Sequence, residues 1–222
     1  APPPPSPLSA ARDSAASAVR ELRDRVMGAL AVALDERVPS EVDLAAHPPT
    51  WEAYRAFDRG MAEFNRYAYA DAEASLLEAW SLDSTFVPAL LYATFAAVND
   101  GNGARGDSLL GLVQQRRNRL SGYHAALADY LAAYLTGDRS EALPKIQLAA
   151  RLAPSSRAGY NEAFVLLQLN RPREADSVLG TLNPDRGAMR DWPTYWSQRA
   201  YAAHLLDDHA REREYAQTMR AR

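Results

Sequence analysis

The sequence contains no cysteine, which removes disulfides, thiolate metal sites and cysteine nucleophiles together. Lysine is nearly missing too: Lys145 stands alone beside 24 arginines, an imbalance that fits a GC-rich genome better than any chemistry. The longest uninterrupted apolar run, Val26–Leu34, is far shorter than the ~20 residues of a membrane-spanning helix, so no membrane insertion is expected. Neither GxxxxGK[ST] nor HExxH occurs, and the one GxGxxG string, Gly101-Asn102-Gly103-Ala104-Arg105-Gly106, follows no strand; that leaves no nucleotide cradle and no helical zinc motif, and no cofactor is expected. Basic character is also lacking: 25 basic against 28 acidic residues give a net charge of −3, and neither half is strongly basic, so nucleic acid is disfavoured as a partner. What remains over 222 residues is 47% apolar content and 43 alanines, enough for a buried core and biased towards helix.

Residues 1–8 begin APPPPSP, a polyproline-II tract that reads as a stiff spacer, with a ligand for a proline-reading domain as the other reading. The start at Ala1, without a charged and then apolar leader, reads as a processed or excised segment. Residues 9–39 are expected to form a long helix, because Val19, Leu22, Val26, Leu30 and Leu34 recur at three- and four-residue steps and make one apolar stripe. Such a helix could cap the exposed end of a larger array or could dimerise, and light scattering with and without residues 1–40 separates the two. Val38-Pro39-Ser40 ends it, and residues 40–49, containing His47-Pro48-Pro49, form a linker. From Thr50, a suitable N-cap for a helix starting at Trp51, the chain reads as successive helix–turn–helix pairs without a convincing strand. Turn signals recur at Asn99-Asp100-Gly101, Thr136-Gly137-Asp138, Asn170-Arg171-Pro172 and Asp207-Asp208.

The turns mark an internal repeat. Ala72-x3-Leu76-x2-Ala79-x2-Leu82-Asp83-Ser84 aligns with Ala142-x3-Ile146-x2-Ala149-x2-Leu152-Ala153-Pro154, every pair 70 residues apart. A third unit fits between them at Val87–Gly122, its turn extended by Gly101-Asn102-Gly103. Asn170–Ala175 repeats Gly137–Ala142 at an offset of 33, and Leu206–Glu212 repeats the same turn at an offset of 37. Four to five hairpins of about 34 residues then fill residues 50–222. This spacing resembles the tetratricopeptide repeat (TPR). Gly60 falls twelve residues before Ala72, at the family's helix crossing; Ala163 and Ala200 occupy matching places, Trp196 matches the leading tryptophan and Pro154 the closing proline. Ser84 replaces that proline in the first unit, Tyr130 and Glu212 stand where small residues are usual, and the helix near Val178–Leu182 is about a turn short. The resemblance implies an all-α fold: a right-handed solenoid of antiparallel helical hairpins with a concave inner surface, preceded by the long N-terminal helix. A second string, Leu22–Leu30 followed by Pro48-Pro49-Thr50-Trp51-Glu52-Ala53-Tyr54, is similar to the junction before the C-terminal repeat region of bacterial serine/threonine kinase-type signalling proteins. It implies a docking or sensory segment of a larger polypeptide, although no kinase motif is present.

Candidate chemistry is sparse. Gly106-Asp107-Ser108-Leu109 spells a serine-esterase nucleophile motif, but it follows no strand, and Asp207-Asp208-His209 lacks an aspartate three residues before the histidine. The alternative is a helix first turn capped by Asp107 or Ser108. The histidines, His47, His124, His204 and His209, show no paired metal spacing on one helix face, so no metal is expected. Arg116-Arg117-Asn118-Arg119 closes a predicted helix, where cations complement the dipole. Counting from each helix crossing places Tyr54, Phe57, Met61 and Asn65 on the inner face of the first hairpin, then Tyr92, Phe95 and Asn99. His124, Leu131 and Tyr134 follow, then Arg157, Tyr160, Asn161 and Phe164, and finally Gln198, Tyr201 and His204. Amphipathic tyrosines and amides suit a groove for a peptide or protein, while the shortage of cations disfavours a C-terminal carboxylate ligand. The function this favours is a non-catalytic protein-interaction scaffold in a bacterial signalling or regulatory protein. The alternatives are a hydrolase using Ser108 and a purely structural capping or oligomerisation segment. The missing cysteine and the spacer lean towards an extracytoplasmic setting.

Overall fold

The computed structural model describes residues 15–35, 48–190 and 192–221. The proline tract, the beginning and end of the leading helix segment, and the linker up to His47 lie outside the described residues. Eleven α-helices are present among the described residues and no strand: α1 Ala15–Leu34, α2 Trp51–Asn65, α3 Tyr69–Leu82, α4 Val87–Asn99, α5 Gly103–Gln114, α6 Gly122–Leu135, α7 Arg139–Leu152, α8 Ala158–Gln168, α9 Pro172–Thr181, α10 Tyr195–Leu205 and α11 His209–Ala221. From α2 onward they pair as five antiparallel hairpins, so the fold is an all-α array of TPR-like repeats. The array divides into two compact units, α1–α5 and α6–α11.

Each hairpin turns in the same way. One residue adopts left-handed backbone: Tyr67 (φ 62°), Gly101 (81°), Gly137 (87°), Asn170 (57°) and Asp207 (58°). These lie 34, 36, 33 and 37 residues apart. In four of the turns the next amide reaches back five residues to close the helix, Ala68 to Glu63, Asn102 to Ala97, Arg171 to Leu166 and Asp208 to Ala203, while the left-handed residue's own amide reaches back three. That double closure satisfies carbonyls a helix end would otherwise orphan. The interval after Gly101 is longer because a short 3-10 turn, Arg117–Arg119, precedes α6. The extra length therefore sits between hairpins and not in the Gly101–Gly103 turn.

Five residues after each of the first four left-handed residues stands the crossing position, Ala72, Gly106, Ala142 or Ala175, all buried. The α2–α3 crossing shows why size matters there. A Cβ built on Gly60 would lie 2.7 Å from Leu76 Cγ, closer than carbon atoms pack, so glycine is what lets Leu76, fully buried, fill the groove. First and second helices differ in burial: α4 encloses nine of its 13 residues, whereas α3 and α7 each bury a four-residue stripe of 14. That is the pattern of a first helix lying between neighbours and a second helix facing water on one side.

The N-terminal helix meets α2 without using its apolar stripe. Its stripe stays exposed, from 40% at Val26 to 80% at Leu34, and α1 leans on α2 by another side. Val32 is buried, Gly28 lies against the Pro49 carbonyl, and Tyr54 donates a 2.6 Å hydrogen bond to Asp35 Oδ2. Thr50 caps α2 as expected, accepting from the Ala53 amide at 3.3 Å. Asp83 joins the start of α2 to the turn before α4, accepting from the amides of Thr50 and Thr85.

Candidate interaction face

In the first unit the inner-face count lands on a connected run of rings. Trp51, Tyr54 and Phe57 follow one another along α2 with centroids 6.3 and 6.4 Å apart. Phe57 meets Phe86 at 5.1 Å and Tyr92 at 5.7 Å, both edge-on, and Tyr92 continues to Phe95 at 6.1 Å. Edge-to-face contacts of this kind hold α2 and α4 side by side. Tyr54 and Phe57 are buried, so they are packing residues rather than groove lining. Tyr92, Phe95, Met61 and Asn65 are half-buried and Asn99 is exposed, which makes the α4 end of the run the part a ligand can reach. The Asn65 side-chain carbonyl is enclosed and accepts no hydrogen bond among the described residues.

In the second unit the same count falls on half-buried side chains at some positions and on core side chains at others. Tyr134 and Phe164, both half-buried, face each other across α6 and α8 at 6.5 Å, and the Arg139 guanidinium lies 3.6 Å above the Tyr134 ring. Asn161 and Gln198 are half-buried, Tyr201 is 50% exposed, and the Gln198 carbonyl lacks a donor among the described residues. His124 is 2% exposed, and burial lowers its pKa to about 3, so it is a neutral core imidazole; Leu131, seven residues further along α6, is buried too. Tyr160 is also core: it donates to Thr194 Oγ1 at 2.7 Å and meets Trp192 edge-on at 5.6 Å. Arg157 is committed as well, donating to the Ala188 carbonyl at 2.6 Å and stacking 4.2 Å over Trp192. The segment between α9 and α10 thus occupies the side chains of Arg157 and Tyr160 that the sequence count assigned to a ligand.

The serine motif is helical. Ser108 lies within α5, exposed, its hydroxyl donating to the Ala104 carbonyl at 2.9 Å. The cap of that helix is Asn102, accepting from the Arg105 amide, and not Asp107 or Ser108. Arg116 spends its guanidinium on the Leu112 carbonyl and the Trp80 ring, 2.9 and 5.3 Å away.

A cluster escaped the sequence count. His204, at the end of α10, and His209, at the start of α11, both turn towards Glu212: Nδ1 of His204 lies 3.2 Å from Oε1, and Nδ1 of His209 lies 2.9 Å from Oε2. These contacts hold the Glu212 carboxyl below the usual carboxylate range, His209 contributing most. Looking for histidine pairs on one helix missed them, because the turn at Asp207 folds two helices together.

No family model matches the chain, and no curated protein matches it. Among solved structures, MamA 41-end from Desulfovibrio magneticus RS-1 is 16% identical, covering 77% of this chain and 94% of its own, with a TM-score of 0.44. MamA MSR-1 is 18% identical, covering 76% and 95%, with a TM-score of 0.42.

Proposed function

We propose that the chain is a protein-interaction module whose half-buried aromatic and amide side chains take up a peptide or protein segment, serving as a docking element in a bacterial signalling or regulatory protein. The observation that carries this reading is the aromatic run of the first unit, whose buried end at Phe57 and Phe86 anchors the reachable rings of Tyr92 and Phe95. Rings held rigidly at a half-wet surface offer large contact area at small entropic cost. Tyr134 and Phe164 offer a second pair of the same kind in the other unit. A peptide is favoured over nucleic acid by the net charge of −3 and by the commitment of Arg116, Arg139 and Arg157 to carbonyls and rings. The setting in a signalling polypeptide rests on the string from Leu22 to Tyr54.

The test selects peptides from a random displayed library on the full chain and measures their affinity for Tyr92→Ala/Phe95→Ala and Tyr134→Ala/Phe164→Ala. Loss of about tenfold or more in either variant, with unchanged helical circular dichroism, supports the reading. Undiminished binding to both folded variants refutes it. Tyr160 is unsuitable for this test, since its replacement would also break the contact with Thr194.

A further inference from the structure

The hairpin α10–α11 carries an exception to the repeat that has a chemical use. At the crossing position the other four hairpins have Ala72, Gly106, Ala142 and Ala175, buried and small. The fifth has Glu212, half-buried, and its carboxylate is the meeting point of two imidazoles from different helices. Nδ1 of His204 and Nδ1 of His209 each address a different oxygen of that carboxylate. The ligand atoms of the three residues all lie within 4.8 Å of one another.

Two neutral imidazoles and one carboxylate are a donor set for late first-row divalent ions. Imidazole suits zinc, nickel and copper, whereas magnesium and calcium require mainly oxygen ligands. Tetrahedral zinc with bonds of about 2.0–2.1 Å sets its ligands about 3.3 Å apart. The two N–O separations, 3.2 and 2.9 Å, already lie near that figure. The side chains of His204 and His209 are 56% and 59% exposed, so their rings are free to make the small rotations that complete the set. Neighbouring charges are spoken for: Arg211 pairs with Asp208 at 2.7 Å and with Asp176 at 2.8 Å.

We propose that His204, His209 and Glu212 bind one divalent ion of the zinc class, stapling α10 to α11 across the Asp207 turn. Binding replaces the two N–O hydrogen bonds by three metal bonds and requires both imidazoles neutral, so protons are released wherever a ring was charged. Three protein ligands leave a fourth position for water. Because both histidines are more than half exposed, that position is open to a donor from another molecule. The site is independent of the aromatic run and stands whether or not that run binds peptide.

The experiment titrates the untagged full chain, freed of metal, with zinc chloride by calorimetry in a non-chelating buffer, with magnesium chloride as the control. It then repeats the titration on His204→Ala, His209→Ala and Glu212→Gln. The expected result is one zinc per chain, no saturable magnesium heat, and affinity weakened about tenfold or more by each substitution. Cobalt(II) supplies a second readout: visible absorption of four-coordinate nitrogen and oxygen ligation in the parent protein, lost in the variants. Circular dichroism establishes that each variant is folded, and Glu212→Gln preserves side-chain size if an alanine variant fails. No saturable zinc binding, or binding unchanged in folded His204→Ala and Glu212→Gln, overturns the proposal and leaves a carboxylate hydrogen-bonded to two imidazoles.

Discussion

His124 makes the stability of the second unit depend on pH in a way that can be calculated. It sits in α6 at 2% exposure, and burial lowers its pKa from 6.5 to about 3. The unfolded chain keeps the ordinary value. Between those values the unfolded state binds a proton that the folded state refuses, so stability is fully present above pH 6.5 and drains away as the pH falls towards 3. At pH 5 the proton taken up on unfolding is worth about 2 kcal/mol, from 1.36 kcal/mol per pH unit below 6.5. That is a substantial part of the about 5–15 kcal/mol available to a typical domain. The perturbation is His124→Leu, similar in bulk and unable to titrate. Urea unfolding followed by far-ultraviolet circular dichroism at pH 7.5 and pH 5.0 should show the parent losing about 2 kcal/mol more than the variant over that interval. Every other titrating group is common to both proteins and drops out of the difference. Parallel curves would refute the argument, and would mean that the imidazole is hydrated or protonated in the folded chain.

Two further substitutions probe how elements are held. Gly28→Ala places a Cβ 1.9 Å from the Pro49 carbonyl oxygen, and backbone cannot yield as a flexible side chain would. Hydrogen exchange should show α1 losing protection while α2–α5 keep theirs, at a cost of roughly 1–3 kcal/mol. Asp176→Asn removes the negative charge faced by Arg211 at 2.8 Å and Arg199 at 3.3 Å, with the Asp176 and Arg199 side chains only 17% and 14% exposed. A loss of about 2 kcal/mol is expected in chemical unfolding, nearly independent of salt because the pair is sheltered.

The repeat was legible because its determinants are local. Gly101, Gly137 and Asn170 are residues that accept left-handed backbone easily, and each announces a small residue five positions later. Tyr67 makes the same turn without such a signal, so only Ala72, Leu76 and Ala79 within α3 mark the first unit. The inner-face count falls on half-buried rings at Tyr92, Phe95, Tyr134 and Phe164. It was wrong about availability for Tyr160 and Arg157, since a count along one helix carries no information about Ala188, Trp192 and Thr194 arriving from beyond α9. The apolar stripe of α1 was real, but periodicity does not say what covers a stripe, and here Gly28 and Val32 make the contact instead. The His204–His209–Glu212 cluster did leave one trace: a glutamate where the repeat asks for alanine.

The unequal burial of the two helices in a hairpin bears on how such a sequence changes over time. In α4 nine of 13 residues are enclosed and in α6 eight of 14, whereas α11 encloses only Tyr215 among its described residues. Substitution is therefore filtered in bands, strict through first helices such as α4 and α6 and permissive over most of α11. What the strict bands demand is mainly smallness and apolarity, which alanine, glycine, leucine and valine satisfy interchangeably at many positions. A lineage built this way can exchange most of its letters while every turn, crossing and register stays in place, so its architecture outlasts its recognisable text.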